Sequence, residues 1–207
     1  MAGRMFNLYL DGRDLIWFPE HGVGYYPVTD TPYDEAYFDK YASYEDSDIG
    51  RALNAARVAL VNKYTRGDVI DVGIGCGSFI KARGADTYGV DINPAGVRWL
   101  NDRGLYRSLY DGVENATFWD SLEHIHNAEA AVLSVKSHVF VSIPVFDSGD
   151  HVLRSKHYRK DEHCWYFTEW GFIAWMEGLG FCMLERNRME SDLGRDEITT
   201  FVFKRNG

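Results

Sequence analysis

Three glycines at alternate positions, Gly73, Gly75 and Gly77, follow directly on a short apolar run that carries a carboxylate, Asp71. The stretch reads DVIDVGIGCG over residues 68–77. Glycine has no Cβ and tolerates positive φ, so such a run lets bare backbone approach a ligand. The helix expected next opens with unpaired N–H groups pointing into the same loop. Asp71 constrains the ligand's charge, because it repels a pyrophosphate and attracts an ammonium group. The dinucleotide fingerprint G-x-G-x-x-G is also broken, since Ser78 stands where its last glycine belongs. A second carboxylate, Asp91, ends the run TYGVD 20 residues after Asp71. That is the place from which doubly wound nucleotide sites clamp ribose hydroxyls.

A second constellation lies in FWDSLEHI, residues 118–125, where Asp120, Glu123 and His124 fall at the junction of a strand and its helix. An imidazole titrates near neutral pH, so His124 can serve as a base; the other reading makes Glu123 and His124 structural, bonded to neighbouring backbone. Asp120 is expected to touch substrate or cofactor. Residues 145–168, VFDSGDHVLRSKHYRKDEHCWYFT, are long for a loop, and long loops tend to carry function. This segment is read as the substrate-recognition element. It contributes His157, which with Asp120 and His124 forms the candidate catalytic set. A metal set of His157, Glu162, His163 and Cys164 matches no standard ligand spacing, and no metal is expected.

DVGIGCG, then GVDINP, then FWDSLEHI resemble in order and spacing the motifs of the class I S-adenosylmethionine (SAM)-dependent methyltransferases, in their small-molecule, ubiquinone-biosynthesis-like branch. The resemblance spans residues 49–204. It implies SAM as cofactor and S-adenosylhomocysteine as product. On these positions it implies Asp71 at the aminoacyl end of SAM, Gly73, Gly75 and Gly77 against the cofactor, Asp91 on the ribose, Ile92 against the adenine, and Asp120 beside the transferred methyl. Amino-methylating DNA enzymes carry an Asn or Asp, two prolines and an aromatic at the fourth strand, where this chain has Asp120-Ser121-Leu122. Cytosine-C5 enzymes need a Pro-Cys pair that is missing there. The resemblance implies methylation of O or N on a small molecule or modified group, the acceptor being a small molecule or a modified nucleotide. The alternatives are a non-catalytic SAM-binding sensor or assembly protein, and an NAD-dependent oxidoreductase.

The elements that must hold these residues follow from periodicity. A hairpin is expected over residues 6–18, with Asp11-Gly12 as its turn. Residues 20–41 read as a loop, either a lid or a cover for a sheet edge. Ser47 or Asp48 should cap a helix running to residue 64. Strands are then expected at 68–72, 87–91, 105–109, 116–119 and 138–143, the last ended by Pro144. Helices are expected at 78–83, 94–101, 127–135 and 169–179. Such alternation implies an α/β, doubly wound, mostly parallel seven-stranded sheet with helices on both faces. Two final strands, 181–189 and 197–203, have only a loop between them and must form an antiparallel hairpin. The N-terminal hairpin is a small extension, so the chain divides into residues 1–46 and a methyltransferase domain over 47–207.

Composition narrows the partners. The 207 residues carry a net charge of −9, which argues against general binding to nucleic-acid backbone. Three cysteines lie far apart with no C-x-x-C pair, against a zinc ribbon or disulfide framework. No apolar run is long enough for a membrane span, and a cytoplasmic location is expected.

Overall fold

The structure, a computed structural model, describes residues 6–10, 13–27, 33–45, 47–84 and 86–207. In chain order the elements are β1 (Phe6–Leu10), β2 (Arg13–Phe18), β3 (Val23–Tyr25), α1 (Glu35–Glu45), α2 (Asp48–Tyr64), β4 (Val69–Val72), α3 (Ser78–Arg83), β5 (Thr87–Val90) and α4 (Pro94–Asn101). They continue with β6 (Val113–Trp119), α5 (Ala128–Leu133), β7 (Val135–Phe146), α6 (Gly149–Arg154), β8 (Trp165–Thr168), α7 (Glu169–Gly178), β9 (Phe181–Asn187), α8 (Met189–Asp192) and β10 (Ile198–Arg205).

The central sheet runs β5-β4-β6-β7-β10-β9, parallel from β5 to β7 and antiparallel through β10 and β9. A parallel bridge between Gly89 and Tyr106 supplies the seventh position at the β5 edge. The strand expected at 105–109 shrinks to that bridge. Ser108 there turns its hydroxyl to accept from the Tyr110 N–H, which starts a 3-10 turn instead of extending the strand.

Side chains alternate across the sheet as period two demands. Val139, Val141 and Ile143 of β7 and Phe201 and Phe203 of β10 pack with α5 and α7 on one face. Phe140 and Val202 point the other way, toward Leu60 and Val61 of α2 and Phe79 of α3. Ser47 caps α2, its hydroxyl accepting from the Gly50 N–H. Asn93 caps α4 by accepting from the Ala95 N–H, and Pro94 opens that helix.

Three expectations need correction. Residues 20–41 are not all loop, since they hold β3 and the start of α1. Residues 145–168 are not a long loop either: Ser148 caps α6, and β8 pairs in parallel with the end of β7. Pro144 does not end its strand. It lies opposite Ile198 at the first pair with β10, and on the other edge it falls between Ser142, the last residue paired with β6, and Val145 and Phe146, which pair with β8. The missing N–H thus falls where the strand changes partners.

The N-terminal strands continue the sheet, β1-β2-β3-β8-β7, all antiparallel until β8 meets β7. The hairpin turn expected at Asp11-Gly12 lies outside the described residues. A satellite core fills the space beneath: Leu15 and Trp17 pack with Phe146, Val152, Leu153 and Tyr166. Among the described residues, no helix is long and apolar enough to cross a membrane.

Candidate functional site

The loop after β4 is built as its glycines suggested. Gly73, Gly75 and Gly77 have φ of 76°, 57° and 79°, the left-handed region that favours glycine. Two of them also have no room for a side chain. A Cβ on Gly73 would stand 2.8 Å from the Ser121 Cβ, and one on Gly77 would stand 2.6 Å from the Trp99 ring. The Gly73 N–H donates to the Val90 carbonyl, and the Gly77 N–H donates to the Ile74 carbonyl, which folds the loop over the ends of β4 and β5.

Asp71 and Asp91 end up at adjacent parallel strands. Asp71 is buried, and its carboxylate accepts from the Thr117 hydroxyl at 2.8 Å. Burial pushes the Asp71 carboxyl up to about 7; the Thr117 hydrogen bond and the Arg57 charge oppose this, and the Asp91 charge adds to it. Asp91 accepts from the Asn93 N–H at 2.7 Å. Burial raises its pKa as well, against the pull of N–H groups from Asn93, Ile74, Ile92 and Gly75. Its carboxylate is therefore tied to the glycine loop itself. Ile92, next in sequence, is 77% exposed, an apolar side chain left uncovered beside these carboxylates.

Asp120 follows β6 with a φ of 60°, a conformation that aspartate tolerates better than most residues. Its carboxylate accepts from the Arg195 guanidinium at 2.7 Å. Burial alone would raise its pKa, but the charges of Arg195, His163 and His124 hold it down at about 2. Arg195 also pairs with Glu190, and Glu190 with Arg57 at 2.8 Å, so a chain of ions, fully buried at Glu190 and partly exposed at Arg195 and Asp120, runs from α2 through α8 to Asp120. None of Arg57, Glu190 and Arg195 stood out in the sequence. Their partners lie up to 133 residues away, and no local spacing signals them.

His124 sits in a 3-10 turn over Leu122–His124 and is bonded through Nδ1 to the Glu162 carbonyl at 2.9 Å. A carbonyl only accepts, so Nδ1 carries the proton and Nε2 keeps its lone pair. Burial lowers the pKa of this imidazole despite the opposing Asp120 and Glu162. Tyr33, just ahead of α1, places its hydroxyl 3.2 Å from the same Nδ1. The neighbouring Asp34 carbonyl accepts from the Asn93 side chain at 2.9 Å. The segment leading into α1 thus bridges the Asp91 end of the site and the His124 end. His157 is set apart. Its Nε2 donates to the Asp196 carbonyl at 2.9 Å, on the approach to β10.

A methyltransferase-domain family model matches residues 41–186, most of the chain. No curated protein matches it. Among solved structures, magnesium protoporphyrin IX methyltransferase from Synechocystis PCC 6803, with S-adenosylhomocysteine bound, superposes with a TM-score of 0.57 at 16% identity, over 83% of this chain and 95% of that one. The putative methyltransferase in complex with the Trm112 methyltransferase activator of Haloferax volcanii gives 0.61 at 11% identity, over 86% and 100%. The 1,6-didemethyltoxoflavin-N1-methyltransferase of Burkholderia thailandensis, holding its substrate and S-adenosylhomocysteine, gives 0.54 at 12% identity, over 97% and 99%. The glycine loop between two acid-tipped parallel strands, the antiparallel strands that close the sheet, and the family match together place this chain in the methyltransferase-domain family, with the class I SAM-dependent fold.

Proposed function

We propose that the protein is a SAM-dependent methyltransferase acting on an O or N atom of a small molecule or modified nucleotide. One observation carries this reading. The left-handed glycine loop holds bare backbone beside the carboxylates of Asp71 and Asp91, and Ser121 and Trp99 pack so closely on Gly73 and Gly77 that no side chain could stand there. Asp71 is set to hold the aminoacyl ammonium of SAM, Asp91 its ribose hydroxyls, and exposed Ile92 one face of the adenine. When bound, SAM supplies a methyl on a sulfonium, which departs as a neutral thioether and needs no acid.

The remaining work falls to the chain. The acceptor must be aligned, and a proton must leave it when the nucleophile is a hydroxyl or an ammonium. His124 is placed for that step. Its Nε2 is unprotonated, its other nitrogen is anchored on the Glu162 carbonyl, and its lowered pKa keeps the ring neutral and able to accept. Asp120, held as a carboxylate by Arg195, adds negative charge that stabilises an imidazolium once formed. The segment at Tyr33 and Asp34 touches both ends of the site, which supports its reading as a cover over the cofactor. His157 is the weakest member of the set, because its Nε2–H is spent on the Asp196 carbonyl.

The test begins with calorimetric titration of SAM and S-adenosylhomocysteine into wild type and Asp71→Ala. Binding by wild type that is lost in the variant supports the cofactor site; no binding by wild type overturns it. With an acceptor found, His124→Ala should lower the methyl-transfer rate by about 10²–10⁴ with SAM still bound. A rate within a few-fold of wild type would make His124 structural, and SAM binding without any transfer would favour a non-catalytic sensor.

A further inference from the structure

Behind the Asp120 corner lies a group of side chains that neither cofactor binding nor proton transfer accounts for. Glu123 is 1% exposed, and among the described residues neither of its carboxyl oxygens meets a partner in good hydrogen-bond geometry, Asp120 being its nearest polar neighbour. His163 is 2% exposed, and its Nδ1 has no such partner either. One ligand atom from each of Glu123, His124 and His163 lies within 4.8 Å of the other two. The rings of His124 and His163 meet edge to face with centroids 4.5 Å apart.

The backbone fixes this meeting. The Cys164 N–H donates to the Glu123 carbonyl at 2.8 Å, and the Trp165 Nε1–H donates to the Ile125 carbonyl at 3.0 Å. Residues 163–165 are thereby fastened along 123–125, and His163 is held over Glu123. A buried carboxyl without a partner is unfavourable unless a proton or a cation neutralises it. The Arg195 guanidinium donates to Asp120 and pairs with Glu190, and it makes no hydrogen bond to Glu123 among the described residues.

We infer that Glu123, His124 and His163 form a binding site for a divalent first-row transition cation. Two imidazoles and one carboxylate are a donor set suited to zinc, iron, cobalt or manganese. Metal–ligand bonds of about 2.0–2.2 Å bring ligand atoms to roughly 3–3.5 Å apart, so the cluster closes by an ångström or so around the ion. The hydrogen bond from His124 Nδ1 to the Glu162 carbonyl is the kind of outer contact that orients a metal-bound histidine and leaves Nε2 as the ligand. Three protein ligands leave positions for water or for an acceptor oxygen. The set differs from the one weighed on sequence spacing. There the Glu162 carboxylate pairs with Arg159 at 3.3 Å, and Cys164 Sγ is turned to the His124 carbonyl and His126 at 3.5 Å. The site rests on geometry and not on methyl transfer. A cation here would also use the Nε2 lone pair assigned to the base, so His124 would then be a ligand.

The experiment is titration of metal-free full-length protein with Co²⁺, followed by its d–d absorption, with Zn²⁺ competition and thermal melts. Wild type should bind one Co²⁺ and melt at a higher temperature with it. Glu123→Gln and His163→Gln should each weaken binding by about 100-fold or more, beyond what loss of an outer partner does. His138→Ala, elsewhere on β7, should bind as wild type. Should either variant fail to fold, X-ray absorption of the wild-type Co²⁺ complex decides, with two imidazoles expected in the coordination shell. No uptake by wild type, unchanged binding in both variants, or an all-oxygen shell would overturn the site. Glu123 would then be a protonated carboxyl shared with His163 or Asp120.

Discussion

Asp71 shows how much one buried side chain can decide. Its carboxyl is pushed up to about 7 by burial, against about 3.9 in an unfolded chain. Between those values the folded protein holds the extra proton, so this group's contribution to stability falls as pH rises through that window. Binding an ammonium group favours the charged form. SAM affinity should therefore rise as pH goes from about 6 to 8, with a proton released, and Asp71→Asn should flatten that slope; calorimetry in buffers of different ionisation enthalpy reads both. Asp91→Ala should weaken SAM by about 1–3 kcal/mol, the scale for stranding polar partners, and unchanged affinity would remove it from the ribose site. Both aspartates were visible in the sequence because Asp71 interrupts an apolar run and Asp91 ends one. Glu123 was read beside Asp120 and His124, and His163 with His157, Glu162 and Cys164, but the two were not brought together. Their meeting depends on two segments 40 residues apart being fastened together, and nothing local announces that.

At the level of elements, the glycine loop was legible because its requirement is local: three left-handed residues leave a spacing in the chain. Gly77→Ala should cost about 1–3 kcal/mol from the strained backbone alone, and the Trp99 ring must also move, so SAM binding should fall with stability in denaturant unfolding and titration. The helix α8 was hidden for the opposite reason. It is a single turn between two strands, and its worth lies in Glu190, whose side chain is wholly buried between Arg57 and Arg195. Glu190→Gln leaves those guanidiniums without their anion. We expect a loss of about 3 kcal/mol, the low end for a broken buried pair because Arg195 is partly exposed. A loss below 1 kcal/mol would show that water screens the chain of ions. Strand β8 escaped notice because WYFT is only four residues long and follows a charged stretch that reads as loop.

For the molecule as a whole, the alternation of strands and helices was enough to give the parallel sheet and its antiparallel end. It could not show that β1, β2 and β3 extend that sheet, since β3 meets β8 through only three residue pairs. The satellite core beneath makes the union matter. Trp17→Ala should destabilise the protein by about 3 kcal/mol, the low end for a buried large aromatic, and a much smaller effect would mean the N-terminal strands are loosely attached. The pairing of Val23 with Phe167 also sets an order of events during synthesis. The first strands leave the ribosome early, yet β8, the strand that joins them to the rest of the sheet among the described residues, arrives after most of the chain has been made. At about 5–20 residues per second they wait on the order of ten seconds. Through that interval the free side of β3 is an unpaired edge open to other nascent chains. A reporter of N-terminal sheet formation on stalled ribosomes should stay silent until residue 168 has cleared the exit tunnel, then switch on within a few added residues.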